Sequence, residues 1–446
     1  MVCSFLDHQK QIYQYKETGK SLLPYMIYQP PTTDSQPTLA WLAVMREAHL
    51  NLVHNSLNLC AFHIPKILNK CMQLWLSDKS EVISGSSHTI KILLQDCVGR
   101  ICETEESMKT HKDTIDHITV MIHQALGYQY LEARYHILHL IALLFQVTGK
   151  ARSPRLIEIL KSLAELRDSY NFASKNDAEY AIGAAIRVLG PEKVLNLIPL
   201  KVSDNAINLK RTWLLPLLKD CVLGGSITFF METLLPIVAL CEKKATEPVG
   251  GKTYEFLVCQ VWAILPSICN NAIDVKDNFK NIAKLLGTNL NERKNLRMSI
   301  MSALRRLITK ALEDDKKEDI HELARFAKNY LPLFLNLYTT KPCGTDEEGQ
   351  RFATYDTIRV YLTITDKELV HELFDRALFK LKEPDIDDFF KESIHDIIRL
   401  FINYTDINRL KTFYDMCVPL LKEISKTKEQ KKAYRFFQVF RRDMWQ

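Results

Sequence analysis

Along most of this chain apolar residues recur at spacings of three and four, the period that gives an α-helix one buried stripe and one wet face. Tyr254, Leu257, Val258, Val261, Trp262 and Leu265 form such a stripe, with Glu255, Cys259 and Gln260 off it. Leu369, Val370, Leu373, Phe374, Ala377, Leu378 and Leu381 form another, separated by Glu368, Glu372, Asp375, Arg376 and Lys380. Polar breaks over 84–87, 149–154, 203–208, 245–252 and 341–351 punctuate the pattern and read as connections between helices. Residues 1–37 close on the Pro-rich run Gln29-Pro30-Pro31-Thr32-Thr33-Asp34-Ser35-Gln36-Pro37, which predicts a partly irregular lead-in. Helical repeats are expected over 38–245 and 246–340, a polar loop over 341–351, and further repeats with a basic end over 352–446.

A proline flanked by large apolar residues recurs at Pro216, Pro236, Pro266, Pro332 and Pro419. Inside a helix, proline removes a hydrogen bond and clashes with the preceding turn, at a cost of about 3 kcal/mol, so repeated use predicts kinked or interrupted helices held by their neighbours. Stacked helix pairs provide such support. The intervals between the prolines are unequal, so no clean period emerges. Units of ~40–47 residues, the HEAT and armadillo size, give roughly ten degenerate repeats here. The predicted fold class is all-α, a HEAT/armadillo-type α-solenoid of helix pairs.

Composition narrows the picture further. A chain of 446 residues is too long for one growing core, and 14 Gly with 16 Pro are too few for the turns of an all-β protein. With 47% hydrophobic and 25% charged residues it has the balance of a folded globular chain. The net charge of +6 is small for this length and does not by itself demand nucleic acid. No apolar run reaches the roughly 18 residues of a membrane span, and the first residues lack the basic and apolar regions of a secretory signal. The 11 Cys are scattered without a Cys-x-x-Cys, so they are expected to be reduced thiols, mostly in the core.

Searches for catalytic chemistry return nothing. His321-Glu322 and His371-Glu372 lack the second His of a zinc-protease helix and read as surface pairs, while Gly224-Gly225 and Gly250-Gly251 lack the Lys-Ser/Thr of a phosphate loop. His136 and His139 share a helix face without the Cys or acidic companions of a metal site, so packing is the expectation. No catalytic residue, cofactor, metal or small-molecule substrate is expected.

A series of blocks in fixed order resembles one family. Trp213-Leu214-Leu215-Pro216-Leu217-Leu218-Lys219-Asp220 is followed by Trp262-Ala263-Ile264-Leu265-Pro266-Ser267-Ile268-Cys269, Asn291-Glu292-Arg293 through Arg297, and Ala303-Leu304-Arg305-Arg306-Leu307-Ile308-Thr309-Lys310. Arg325-Phe326-Ala327-Lys328-Asn329-Tyr330-Leu331-Pro332, Tyr361-Leu362-Thr363-Ile364-Thr365-Asp366 and Gln430-Lys431-Lys432-Ala433-Tyr434-Arg435 come after them. Upstream stand the weaker Leu39-Ala40-Trp41-Leu42 and Ala48-His49-Leu50-Asn51-Leu52-Val53. Together they are similar to the central region of the ribosomal-RNA-processing-twelve-like proteins, longer HEAT-repeat proteins with a lysine-rich tail. The resemblance implies a nuclear and nucleolar scaffold without catalysis, with pre-ribosomal particles (ribosomal RNA and assembly proteins) as partners and a role in processing and export of the subunits. Nuclear transport factors are further implied partners. The rival reading is an importin-like transport receptor, also a solenoid, but a carrier of basic cargo favours an acidic inner surface and this chain is net basic.

Two groups of cations are candidates for meeting RNA phosphates. If 291–312 is one helix, Leu296, Ile300, Leu304, Leu307, Ile308 and Ala311 share its buried side, and Lys294, Arg305, Arg306 and Lys310 lie at the margins. Near the end, Lys431, Lys432, Arg435, Arg441 and Arg442 interleave with Tyr434, Phe436, Phe437 and Phe440, a mixture of cations for phosphate and rings for stacking. Solvated basic faces are the plainer reading of both. Arg297 projects among apolar positions and needs a partner; Asp274 is the candidate acceptor between neighbouring repeats, the alternative being a side chain that snorkels to water.

Overall fold

Helices carry nearly all of the chain in the computed structural model, which describes residues 34–420 apart from 152, 201, 204–205, 208–210, 247–250 and 384–385, together with Gln430. Two compact units divide at Pro199 and Leu200. The first contains four helix pairs: α1 (Ser35–Asn55) with α2 (Leu57–Gln73), α3 (Ser80–Ile92) with α4 (Lys112–Gln124), α5 (Arg134–Thr148) with α6 (Pro154–Asp168), and α7 (Lys175–Leu189) with α8 (Pro191–Leu197). First helices pack on first helices and second on second, so each pair buries its stripe against the next. The pattern is the all-α, HEAT/armadillo-type solenoid that the periodicity predicts.

Close approach in this unit depends on small residues. Ala178, Ala181, Gly183 and Ala185 of α7 are buried, and α5 meets that helix with Ile137, Leu138, Ile141 and Phe145. At the end of α5 a Cβ on Gly149 would stand 1.8 Å from Cγ1 of Val188, so only glycine fits there.

The second unit opens on a two-residue antiparallel ladder, β1 (Val202–Ser203) with β2 (Ala206–Ile207). Its first helices are α9 (Leu214–Cys221), α11 (Gly251–Trp262) continued by the short α12 (Leu265–Cys269), α14 (Arg297–Glu313), α17 (Thr345–Leu362) and α19 (Asp388–Phe401). Their partners are α10 (Leu235–Ala245), α13 (Val275–Glu292), α15 (Lys317–Arg325) continued by α16 (Ala327–Thr339), α18 (Lys367–Leu381) and α20 (Ile407–Leu420). The two stripes read from sequence are in place: Leu257, Val258, Val261 and Trp262 are buried on α11, and Val370, Leu373, Phe374, Ala377 and Leu378 on α18. Burying each such side chain fully contributes ~1.5–3 kcal/mol.

The prolines interrupt helices in two ways. Pro236 and Pro266 stand second in α10 and α12, where a missing N–H costs nothing, and a π-turn over Phe230–Leu234 precedes the first of them. Pro332 and Pro419 lie inside α16 and α20, and Pro65 inside α2.

Several expectations need correction. Residues 84–87 do not break the chain, because they lie within α3. Ser86 donates to the Cys71 carbonyl at 2.5 Å and Ser87 accepts from the Trp75 indole at 2.9 Å, so buried hydroxyls replace the solvent that a polar run suggests. Among the described residues regular structure begins at Ser35, inside the segment expected to be partly irregular, and α17 begins at Thr345, inside the expected loop. Residues 291–312 are not one helix: α13 ends at Glu292, a 3-10 turn spans Lys294–Leu296, and α14 starts at Arg297. The six residues assigned to the buried side are all buried.

Candidate nucleic-acid interface

Repeats of this kind must satisfy the polar ends of many helices without water, and the cations singled out from sequence turn out to take part in that task. Arg305 extends from α14 to α17, where it donates to the Ala353 carbonyl at 2.8 Å and the Thr357 hydroxyl at 2.7 Å. Burial lowers its pKa from the ordinary guanidinium value. Arg306 reaches the other way, to the Pro266 carbonyl at 2.9 Å. Lys294 pairs with Glu347 at 2.7 Å, and Lys310 with Asp314 at 3.0 Å, one residue past the end of its own helix. Hydrogen bonding to Lys294 and to the Cys343 N–H holds the Glu347 carboxyl below its ordinary pKa. Arg305 and Arg306 are therefore ties between repeats, while Lys294 and Lys310 stand in surface ion pairs. Lys431, Lys432, Arg435, Arg441 and Arg442 lie outside the described residues.

The expected pair of Arg297 and Asp274 does not form. Arg297 is the first residue of α14 and folds back to donate to the carbonyls of Leu290 at 2.9 Å and Asn291 at 3.0 Å, at the C-terminus of α13. A cation at that end is favoured by the unsatisfied carbonyls and the helix dipole. Arg134 repeats the device at the start of α5, donating to the carbonyls of Leu126 and Gly127 beyond the end of α4.

Asp274 has a different duty. It stands at the start of α13, yet its carboxylate accepts from the backbone N–H of Ile227 at 2.7 Å and of Thr228 at 3.0 Å, and from the Thr228 hydroxyl at 2.8 Å. Ser226 supplies the Phe229 N–H through its hydroxyl and the Phe230 N–H through its carbonyl. Three orphan donors of the helical turn Ile227–Phe229, which leads through the π-turn into α10, are thus satisfied, two of them by the next repeat. Asp319 does the same for α13, accepting from the Lys276 N–H at 3.0 Å. Ser267 to the Lys219 carbonyl and Tyr330 to the Ala283 carbonyl are further rungs, joining residues 48 and 47 positions apart. That separation is close to one repeat, so the period hidden in the proline spacing is written in the polar ties.

The histidine pairs settle as packing groups. His139 stacks on Tyr180 with ring centroids 4.8 Å apart and lies 3.2 Å from Asp177. His371 lies 3.6 Å from Asp406. Glu322 is not on the surface as expected; it is buried and accepts from Arg325 at 2.5 Å. Among the described residues no group of His, Cys, Asp and Glu could hold a metal, and no helix is long and apolar enough to cross a membrane.

Residues 76–341 match the family model described as ribosomal RNA-processing protein 12, HEAT repeats. The human RRP12-like protein is 34% identical over 420 residues, covering 92% of this chain and 32% of that protein. The Drosophila melanogaster RRP12-like protein is 30% identical over 426 residues, covering 91% and 30%, and the Saccharomyces cerevisiae ribosomal RNA-processing protein 12 is 24% identical over 452 residues, covering 91% and 36%. The chain spans about a third of the length of these curated relatives. Among solved structures, Kap121p bound to Pho4p is similar at a TM-score of 0.46 and 13% identity, over 91% of this chain and 40% of that one.

Proposed function

This chain belongs to the ribosomal RNA-processing protein 12 HEAT-repeat family, and on that premise we propose that it is a non-enzymatic scaffold for pre-ribosomal particles, acting in the nucleus and nucleolus in pre-ribosomal RNA processing and in the maturation and export of the subunits. The observation that carries the reading is the family match over 76–341, which covers more than half of the chain. The fold supports it physically. Within each unit a stack of helix pairs tied by backbone-directed side chains presents repeated helix faces, and such faces hold partners by many modest contacts. Ribosomal RNA and assembly proteins are the proposed partners. The basic, ring-bearing segment with Lys431, Lys432, Arg435, Arg441 and Arg442 is a proposed second RNA contact.

Family membership favours this reading over a transport receptor. The two separate in a binding assay with the purified chain, a structured ribosomal RNA fragment and a small nuclear GTPase. RNA binding whose logarithmic affinity falls linearly with the logarithm of salt is expected, because lysines release counterions from phosphates. Binding to the GTPase without binding to RNA would overturn the proposal.

A further inference from the structure

With Lys294, Arg305, Arg306 and Lys310 tied down, the cations left to meet an anion are found elsewhere. Helices α13 and α16 run side by side in the same direction: the rings of Phe279 and Phe326 have centroids 5.3 Å apart, and the Tyr330 hydroxyl donates to the Ala283 carbonyl at 2.7 Å. Lys280 and Lys284 follow Phe279 and Ala283 by one residue each and are exposed. At 100° per residue, Lys280, Lys284 and Asn291 fall within ~40° of one another, on the side of α13 turned toward α16. On α16, Asn329 and Asn336 share a stripe next to the Phe326 and Tyr330 contacts, and both are exposed. Among the described residues none of these five side chains enters an ion pair or a hydrogen bond with another group of the protein.

The local charge is one-sided. Helix α16 contains no acidic residue, and α13 contains none between Asp277 and Glu292, which mark the two ends of the stripe. Lys276, just before it, is already paired with Glu318. The groove also lacks what a protein partner needs. Interfaces between proteins rest on aromatic and apolar anchors, whereas no large exposed apolar side chain lies on α16 and only Leu285 on α13. Cations one helical turn apart, ~6 Å along the axis, beside amides that both donate and accept, suit a chain of phosphates carrying unpaired polar bases.

We propose that the groove between α13 and α16 binds single-stranded RNA, with Lys280 and Lys284 on its phosphates and Asn291, Asn329 and Asn336 on sugar hydroxyls and base edges. The inference rests on the ribosomal RNA reading above and gives it a location. The test uses the full chain and a fluorescent oligouridine, with anisotropy measured from about 50 to 200 mM salt. Removing two phosphate contacts from a single strand makes the slope of log affinity against log salt shallower by about 1.4. The double variant Lys280→Gln, Lys284→Gln is expected to show that loss, with an unchanged melting curve because both side chains are exposed. Lys91→Gln with Lys161→Gln removes the same charge from exposed positions in the first unit and is expected to keep the parent slope. Asn291→Ala with Asn336→Ala is expected to weaken binding several-fold at constant slope. A groove double variant with the parent's affinity and slope, or a control double variant that loses as much, overturns the site and leaves the RNA reading standing. Failure of the unsubstituted chain to bind any RNA overturns both, and lysine-dependent capture of an oligoglutamate peptide without RNA makes the groove an acidic-protein dock and overturns the site.

Discussion

Replacing Asp274 with alanine isolates the contribution of one inter-repeat cap. The substitution removes the acceptor for the N–H groups of Ile227 and Thr228 and for the Thr228 hydroxyl, all in part-buried positions. Hydrogen bonds to charged groups contribute about 1.5–3 kcal/mol each, and access of water to the part-buried freed donors discounts the sum of the three to ~2–4 kcal/mol. Asp274→Asn keeps one acceptor oxygen and should cost about half as much. At ~2–4 °C per kcal/mol for a body of this size, the alanine variant lowers the transition of the second unit by about 5–15 °C. Urea titration followed by circular dichroism gives the cost, and hydrogen exchange gives its location, since the amides of Ile227 and Thr228 are expected to lose protection first. A cycle with Arg297→Met should return a coupling within ~0.5 kcal/mol of zero, because Arg297 is spent on the carbonyls of Leu290 and Asn291. An alanine variant as stable as the parent, or a coupling of ~2 kcal/mol, would refute the reasoning and restore the direct ion pair.

Other consequences follow from the same contacts. Arg305→Met removes the guanidinium donor from the Ala353 carbonyl and the Thr357 hydroxyl and should cost ~2–3 kcal/mol in urea unfolding, with no change in RNA affinity; Arg305→Lys should recover little, since a flexible ammonium does not reproduce a planar guanidinium wedged between the two acceptors. Gly224→Ala places a Cβ 2.5 Å from the backbone oxygen of Asn271, beside the bridge between Gly225 and Ala272, and should cost ~1–3 kcal/mol in the same assay. Glu347 and Asp406 both titrate below their ordinary values, Glu347 chiefly through Lys294 and Asp406 chiefly through the Arg409 N–H. Their stabilisation is complete above the unfolded carboxylate range, near pH 4, and is lost as pH falls through the lower folded values. Urea midpoints from pH 7 to 3 should show the decline, flattened in Glu347→Gln; a parent midpoint independent of pH would contradict it.

The helices were legible because burial is periodic over a few residues: Leu257, Val258, Val261 and Trp262 announce their shared face within two turns. Polar residues were harder, since their meaning depends on partners a repeat away. Arg305 looks like a free margin cation until Ala353 and Thr357, 48 and 52 positions later, are brought to it. The Ser-Gly-Ser-Ser run at 84–87 reads as a break because nothing nearby in sequence offers the Cys71 carbonyl or the Trp75 indole that take up its hydroxyls. Lys280 and Lys284, by contrast, are legible in sequence as an i, i+4 pair in the stretch between Asp277 and Glu292 that holds no acid, though a denser basic block follows it. What distinguishes the two sets is whether a carboxylate or carbonyl from the neighbouring repeat arrives, and local spacing does not encode that.

Ultraviolet crosslinking of the tagged chain in living cells, with sequencing of the attached RNA, bears most directly on the role assigned to this surface. Precursor ribosomal RNA should dominate over messenger RNA, with crosslinks that decline when Lys280 and Lys284 are both glutamine. RNA recovered no better than from an untagged control would contradict a scaffold that grips pre-ribosomal RNA.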